Sequence, residues 1–236
     1  MQPTYLPWLG YFDLIDQVDV FVFLDDVQFV KRSWQQRNRI KTPDGLGWLT
    51  VPVHVRGRYH QSIRDVEIQS ESRFPHGHLK TVHHNYARAA HYASLAGSFE
   101  SALLEASATL KLVDLNVTMI RWMAAQFGVG AEFVMSSALG AEGVRSDLLV
   151  DICKKLGART YLSPPGSSAY LVEEAERFGN SGIELMVHGY GHPSYHQMYP
   201  PFVPFASAVD LLFNLGPDSG TCLRSGRTEQ RSFVAR

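Results

Sequence analysis

The chain has 236 residues, 45% hydrophobic and 19% charged, with a formal net charge of −1 and a pI near 6.8. That length suits one large domain or one with a helical insertion, and the near-neutral charge argues against a general nucleic-acid binder, which is normally basic. No apolar run reaches the roughly 18 residues a membrane-spanning helix needs, and the start lacks the basic and apolar stretches of a signal peptide. With Cys153 and Cys222 far apart, neither a disulfide framework nor a thiolate zinc site is indicated. A cytoplasmic protein without membrane insertion is expected.

In chain order, Gln2–Phe12 (QPTYLPWLGYF) places two prolines and four aromatics ahead of any packing element. Each proline fixes φ and lacks an N–H, so the segment reads as a rigid loop feeding a helix near Leu9–Gln17. Its aromatics either line a ligand pocket or plug the core. Asp19–Leu24 (DVFVFL) is a β-branched and aromatic run that predicts a buried strand ended by Asp25-Asp26. A donor-rich loop, Lys31–Lys41, and a Pro43-Asp44-Gly45 turn precede alternating segments at Trp48–Val55 and Arg64–Ile68, which predict neighbouring antiparallel strands. From about residue 74 to 127 the apolar spacing is helical. Strands are predicted at Ala131–Met135, Arg159–Ser163 and Ile183–Val187, and helices at Asp147–Leu156, Ala169–Phe178 and Ala206–Asn214. The alternation favours parallel crossovers. The expected fold is α/β: a mostly parallel, Rossmann-like sheet with antiparallel additions and a helical segment. It forms a single domain over 1–216, with a polar, frayed tail over 217–236.

Chemistry-bearing residues concentrate in few places. Asp25 and Asp26 fall at a predicted strand end, where open α/β sheets place ligand groups; as a base, a metal ligand or plain turn caps, they fit equally. Lys31, Arg32, Arg37, Arg39 and Lys41 put five cations in one segment, suited to phosphate or carboxylate unless they simply face solvent. Gln28 and Asn38 add neutral donors, and Trp34 among these charges suggests stacking on a ligand ring. Later, His188 and His192 flank Gly189-Tyr190-Gly191, followed by Tyr195, His196 and Gln197; a histidine here suits general acid–base work. His76, His78, His83 and His84 lack an accompanying cysteine and make a weak metal set. Cys153 reads as core. Ser163 lacks a nucleophile elbow, and no phosphate-cradling or dinucleotide glycine loop is present.

The blocks QPTYLPWLGYF, DVFVFLDDVQF, KRSWQQRNRIK, GWLTVPV, GARTYLS, YGHPSYHQ and FASAVDLLFNLG together resemble the WbqC-like family from Gln2 to about Gly216. That resemblance implies the setting of surface-polysaccharide and modified-sugar gene clusters, without a securely assigned reaction. It favours His192 over His188 and His196, because His192 lies in the matching part of its loop. Two departures stand out. Family members usually begin with a short strand ending in a histidine just before the Gln-Pro, so an upstream strand is expected to be missing here, leaving uncovered β-edge beside Gln2-Pro3. Pro164-Pro165-Gly166 replaces a Ser-Gly loop.

The resulting expectation is a transferase-type enzyme acting on an activated sugar or similar phosphate-bearing small molecule. Asp25, Asp26 and His192 are its catalytic candidates. Gln2, Tyr5, Trp8, Tyr11, Gln28, Lys31, Arg32, Trp34, Arg37, Asn38, Tyr195 and Gln197 are its binding candidates, and no metal or cofactor is assigned. The alternative is a non-catalytic glycan- or partner-binding protein of a polysaccharide assembly system.

Overall fold

A computed structural model describes residues 1–167 and 174–233. After the extended Trp8, helix α1 (Leu9–Ile15) is buried on every side, as its apolar residues require, with Asp13 the one charged side chain buried among them. Gly10 lets the Trp8 indole lie against α1, since a Cβ there would meet the ring at 2.3 Å. Strand β1 (Val20–Phe23) pairs in parallel with β4 (Glu132–Met135), Val20 opposite Glu132 and Phe23 opposite Met135. The crossover between them holds a hairpin, β2 (Arg37–Thr42) and β3 (Gly45–Thr50), and three helices, α2 (His76–Tyr86), α3 (Tyr92–Ser107) and α4 (Leu112–Phe127). The basic segment expected as a loop thus becomes a strand in its second half. The segment Arg64–Ile68 instead forms a short 3-10 turn at Ile63–Asp65 and an isolated Val53–Ile68 bridge.

The second half runs through α5 (Ser136–Leu139), α6 (Ser146–Lys155), β5 (Thr160–Ser163), α7 (Ala175–Gly179) and β6 (Glu184–Val187). It ends with α8 (Val209–Leu215), α9 (Ser219–Arg224) and β7 (Arg231–Phe233). Part of the helix expected at Ala169–Phe178 lies outside the described residues; α7 is its described end. The segment read as a frayed tail carries α9 and β7. Strand β6 pairs with β5 in parallel and with β7 in antiparallel.

An extended, mostly parallel Rossmann-like sheet is not what these strands make. Among the described residues there are three small sheets: β1 with β4, β2 with β3, and β5 with β6 and β7. A groove of about 610 Å³ lies between β1 and β5, so the two parallel pairs do not meet edge to edge. Two cores match this division. The larger gathers α1, α3, α4 and α8 around Phe12, Phe99, Met119 and Phe213, each buried side chain contributing roughly 1.5–3 kcal/mol. The smaller joins Leu149 and Cys153 of α6 to Phe178, Ile183 and Leu185.

An ionic clasp binds the late chain to α1. Asp13, fully buried, accepts from Arg227 Nε at 2.7 Å and lies 2.8 Å from His188 Nε2. Arg224 donates twice to Asp16, at 2.8 and 3.1 Å, and Arg227 also reaches Asp16. Burial pushes the Asp16 carboxyl up, but the two guanidiniums outweigh it and hold the pKa below the usual value.

Candidate functional site

The amino-terminal loop owes its shape to two buried asparagines. Asn38 of β2 donates to the carbonyls of Tyr5 (3.1 Å) and Leu6 (2.8 Å), and Asn116 of α4 donates to those of Pro3 (3.1 Å) and Gln35 (2.8 Å). These bonds hold Leu6 at a φ of 42°, a left-handed conformation that few non-glycine residues adopt. Tyr5 is wholly buried, and its hydroxyl meets His78 Nδ1 at 2.9 Å while His78 Nε2 lies 3.1 Å from the Thr50 carbonyl. A carbonyl only accepts, so Nε2 carries the proton and Nδ1 receives that of Tyr5. Burial lowers the His78 pKa to about 4. Tyr11 is also buried, donating to the Gln2 carbonyl at 3.0 Å. Tyr5, Tyr11 and Asn38 therefore build the loop from inside.

At the carboxy end of β1 the two aspartates meet the start of α5. Asp25 accepts from Ser136 Oγ (3.0 Å), the Ser137 N–H (3.0 Å) and Ser137 Oγ (2.6 Å). Asp26, half-buried, has a single bond among the described residues, from Ser136 Oγ at 2.5 Å. Ser136 has one hydroxyl proton, so it serves one carboxylate at a time. Parallel pairing explains the meeting: β1 and β4 end side by side, and the residues that follow each strand become neighbours. A crevice of about 410 Å³ opens at this level, lined by Met1, Gln2, Thr4, Leu24, Arg145 and Tyr161 among others. Gln2 is held by Gln35 Nε2 at 2.9 Å. Arg145 precedes α6 at a φ of 54° and is exposed. Gln28 donates to the Tyr59 carbonyl at 3.3 Å, and Lys31 and Arg32 stand exposed on the loop that follows.

The remaining candidates form a separate neighbourhood. The His192 ring packs among Trp8, Tyr195, Phe202 and Phe205, with centroids 5.2–6.2 Å away. Its Nδ1 donates to the Pro193 carbonyl at 2.8 Å, its Nε2 is covered and unbonded, and burial lowers its pKa. Tyr195 and Gln197 point inward to buried Asp210, at 2.7 and 2.9 Å, which Tyr86 also reaches at 2.8 Å. Burial raises the Asp210 pKa more than these donors lower it. Outside, Trp34 and Trp48 lie side by side, centroids 5.5 Å apart and each about half exposed. The Arg37 guanidinium sits 4.2 Å over Trp48, and that of Arg39 lies 5.5 Å from both rings.

The structure brings Gln2 to a crevice lined by Leu24 and Val27, the residues on either side of Asp25-Asp26, without either aspartate in its lining, and Trp8 to His192 and Tyr195. It shows no contact between His192 and either aspartate. Sequence reasoning missed Ser136, Ser137, Arg145, Trp48 and Asp210; the first two follow a predicted strand, and pairing that strand beside β1 would have found them. Among the described residues no three His, Cys, Asp or Glu side chains gather closely enough to hold a metal ion, and no helix is long and apolar enough to cross a membrane. Burial raises the Cys153 thiol to about 11, which suits a core residue rather than a nucleophile.

An α/β chain with this arrangement matches a known family model. The chain belongs to the WbqC-like protein family, whose model matches residues 2–222. It is 36% identical over 225 residues to "Uncharacterized protein Rv1507c" of Mycobacterium tuberculosis, covering 95% of this chain and 96% of that protein. No solved structure matches.

Proposed function

We propose that this protein is a transferase-type enzyme acting on an activated sugar or similar phosphate-bearing small molecule, bound in the crevice beside Gln2. The observation that carries this reading is the crevice's position. Leu24 follows β1 and Pro164 follows β5, and both line it; open α/β sheets bind ligands beyond such carboxy-terminal ends. Arg145 at its rim offers a guanidinium to a phosphate. Ser137 holds Asp25 through its N–H and its hydroxyl, which leaves the single Ser136 proton free to go to Asp26. The second carboxylate oxygen of Asp26 has no partner among the described residues, so it accepts the proton of an attacking hydroxyl or amine. Arg145 meanwhile offsets the charge that develops on the departing phosphate. A thermal-shift screen of nucleotide sugars, nucleotides and acyl donors tests this. A hit whose affinity falls at least ~10-fold in Arg145→Ala, and whose turnover but not binding is lost in Asp26→Asn, supports the reading. No stabilisation by any of the three classes sinks it.

The exposed indoles favour a second reading, a binding face without chemistry. Trp34, Trp48, Arg37 and Arg39 form an aromatic and cationic surface suited to a sugar ring bearing an anionic group. Acidic oligosaccharides that bind the native chain but not Trp48→Ala, with the crevice variants unaffected, support it.

A further inference from the structure

Charge is unevenly placed along this chain. Residues 28–64 hold eight of its 22 Lys and Arg but one of its 23 Asp and Glu, so that stretch carries +7 and the rest −8. Among the described residues seven large apolar side chains stand exposed, and four of them, Val30, Trp34, Trp48 and Tyr59, fall in the same stretch. Cations and apolar tips thus share one part of the surface, and the lining of the crevice beside Gln2 draws on none of them.

Hydrogen bonds make the stretch one unit. The turn Val30–Ser33 is held from inside: Gln35 Oε1 accepts the Val30 N–H and Gln36 Oε1 the Arg32 N–H, both at 2.8 Å. With its backbone held by these two buried glutamines, the turn leaves Val30, Lys31 and Arg32 in solvent. The loop 55–62 is tied to it, because the Phe29 N–H donates to the Gln61 carbonyl at 3.0 Å and Gln28 Nε2 to that of Tyr59 at 3.3 Å. Arg56, Tyr59 and Arg64 are exposed on and just after this loop, Tyr59 to 79%. The β2–β3 hairpin joins through the Val51 N–H, 2.8 Å from the Gln36 carbonyl, and sets Trp48 against Trp34.

Lys31, Arg32, Arg56 and Arg64 make no ion pair among the described residues, so their positive potential reaches solvent. An acidic glycan or peptide would use the cations and the indoles, but it has no use for an aliphatic Val30 at the tip of a turn. An anionic bilayer surface uses all of them. Its phosphates pair with guanidinium and ammonium groups, its headgroup layer suits Trp and Tyr, and its acyl boundary takes an apolar tip. We propose that residues 28–64 form a peripheral docking face for an anionic phospholipid bilayer. Val30, Tyr59 and the Trp34–Trp48 pair lie at headgroup level, and Lys31, Arg32, Arg56 and Arg64 meet the lipid phosphates. The chain rests on this surface without crossing it.

The test is flotation of the 236-residue chain with vesicles of phosphatidylcholine alone and of phosphatidylcholine mixed with phosphatidylglycerol. The chain is expected on the mixed vesicles only, and to leave them as salt rises. Each Lys or Arg at such a surface is worth about a 5-fold change in partition, so Lys31→Glu with Arg32→Glu lowers it at least ~20-fold. Val30→Ser with Tyr59→Ser lowers it at least ~10-fold. Lys154→Glu with Lys155→Glu makes the same charge change on exposed residues of α6 and leaves partition as it was. Melting temperatures show that each variant is folded, and the native chain's choice between the two vesicles decides the matter if one is not. No partition into the mixed vesicles, or equal partition into both, overturns the proposal. So does an equal loss from the α6 pair, native partition in Val30→Ser with Tyr59→Ser, or an acidic oligosaccharide that binds this face when the mixed vesicles do not.

Discussion

Asn38 shows how a residue that resembles a ligand donor serves the loop instead. Its amide satisfies two buried carbonyls, and its own side-chain oxygen takes the Arg39 N–H at 2.8 Å. Asn38→Ala leaves both carbonyls dry and releases Leu6 from its left-handed conformation. The expected loss is about 3 kcal/mol of stability in urea unfolding; a loss under about 1 kcal/mol shows that water replaces the amide. His78 gives a pH signature. Its pKa is lowered by burial from 6.5 to about 4, so the unfolded chain takes up a proton that the folded one refuses. The stability it contributes is complete above pH 6.5 and is lost as pH falls toward 4, an effect of about 3 kcal/mol. His78→Gln should flatten that part of the stability–pH curve relative to the native chain. Parallel curves show that other groups set the slope.

At the scale of elements, Phe213 of α8 is where three helices meet. Its ring packs 5.2 Å from Tyr86 of α2, and 5.1 and 5.6 Å from Tyr92 and Phe99 of α3. Phe213→Ala is expected to cost about 3–5 kcal/mol by leaving a cavity at that junction, and Phe213→Leu much less; equal costs show that the aromatic contacts, not the volume, matter. Such long-range meetings limited what the sequence revealed. The strands β1, β4, β5 and β6 and the helix α6 were legible because their apolar residues recur at the right period. β2 was not: RNRIKT buries Asn38 on one face and Lys41 on the other, and such polar residues mark a loop rather than a strand. In the candidate site, the strand-end position of Asp25 and Asp26 was legible. Ser136 and Ser137 were not, because they lie more than a hundred residues away and only the β1–β4 pairing brings them close. The sequence reading of Tyr5, Tyr195 and Gln197 as binding residues met partners, His78 and Asp210, that no local spacing announces.

Across the whole molecule, the clasp between α1 and the late chain carries weight that neither core supplies. Arg227→Ala removes a donor from buried Asp13 and from Asp16 and is expected to cost about 2 kcal/mol, since the arginine is partly exposed while Asp13 is not. Urea unfolding of Arg227→Ala and Arg227→Lys measures it; a neutral Arg227→Ala shows that His188 and Gln17, whose Nε2 also donates to Asp13, suffice. The clasp also sets an order of events during synthesis. Asp13 and Arg227 are 214 residues apart in sequence, so a ribosome adding about 5–20 residues per second makes the first wait roughly 10–40 s for the second. Throughout that interval the first helix carries an acid side chain without its arginine partner. The charged contacts of that helix are thus the last of its contacts to close, and a chain cut short by even ten residues leaves Asp13 without the arginine that pairs with it.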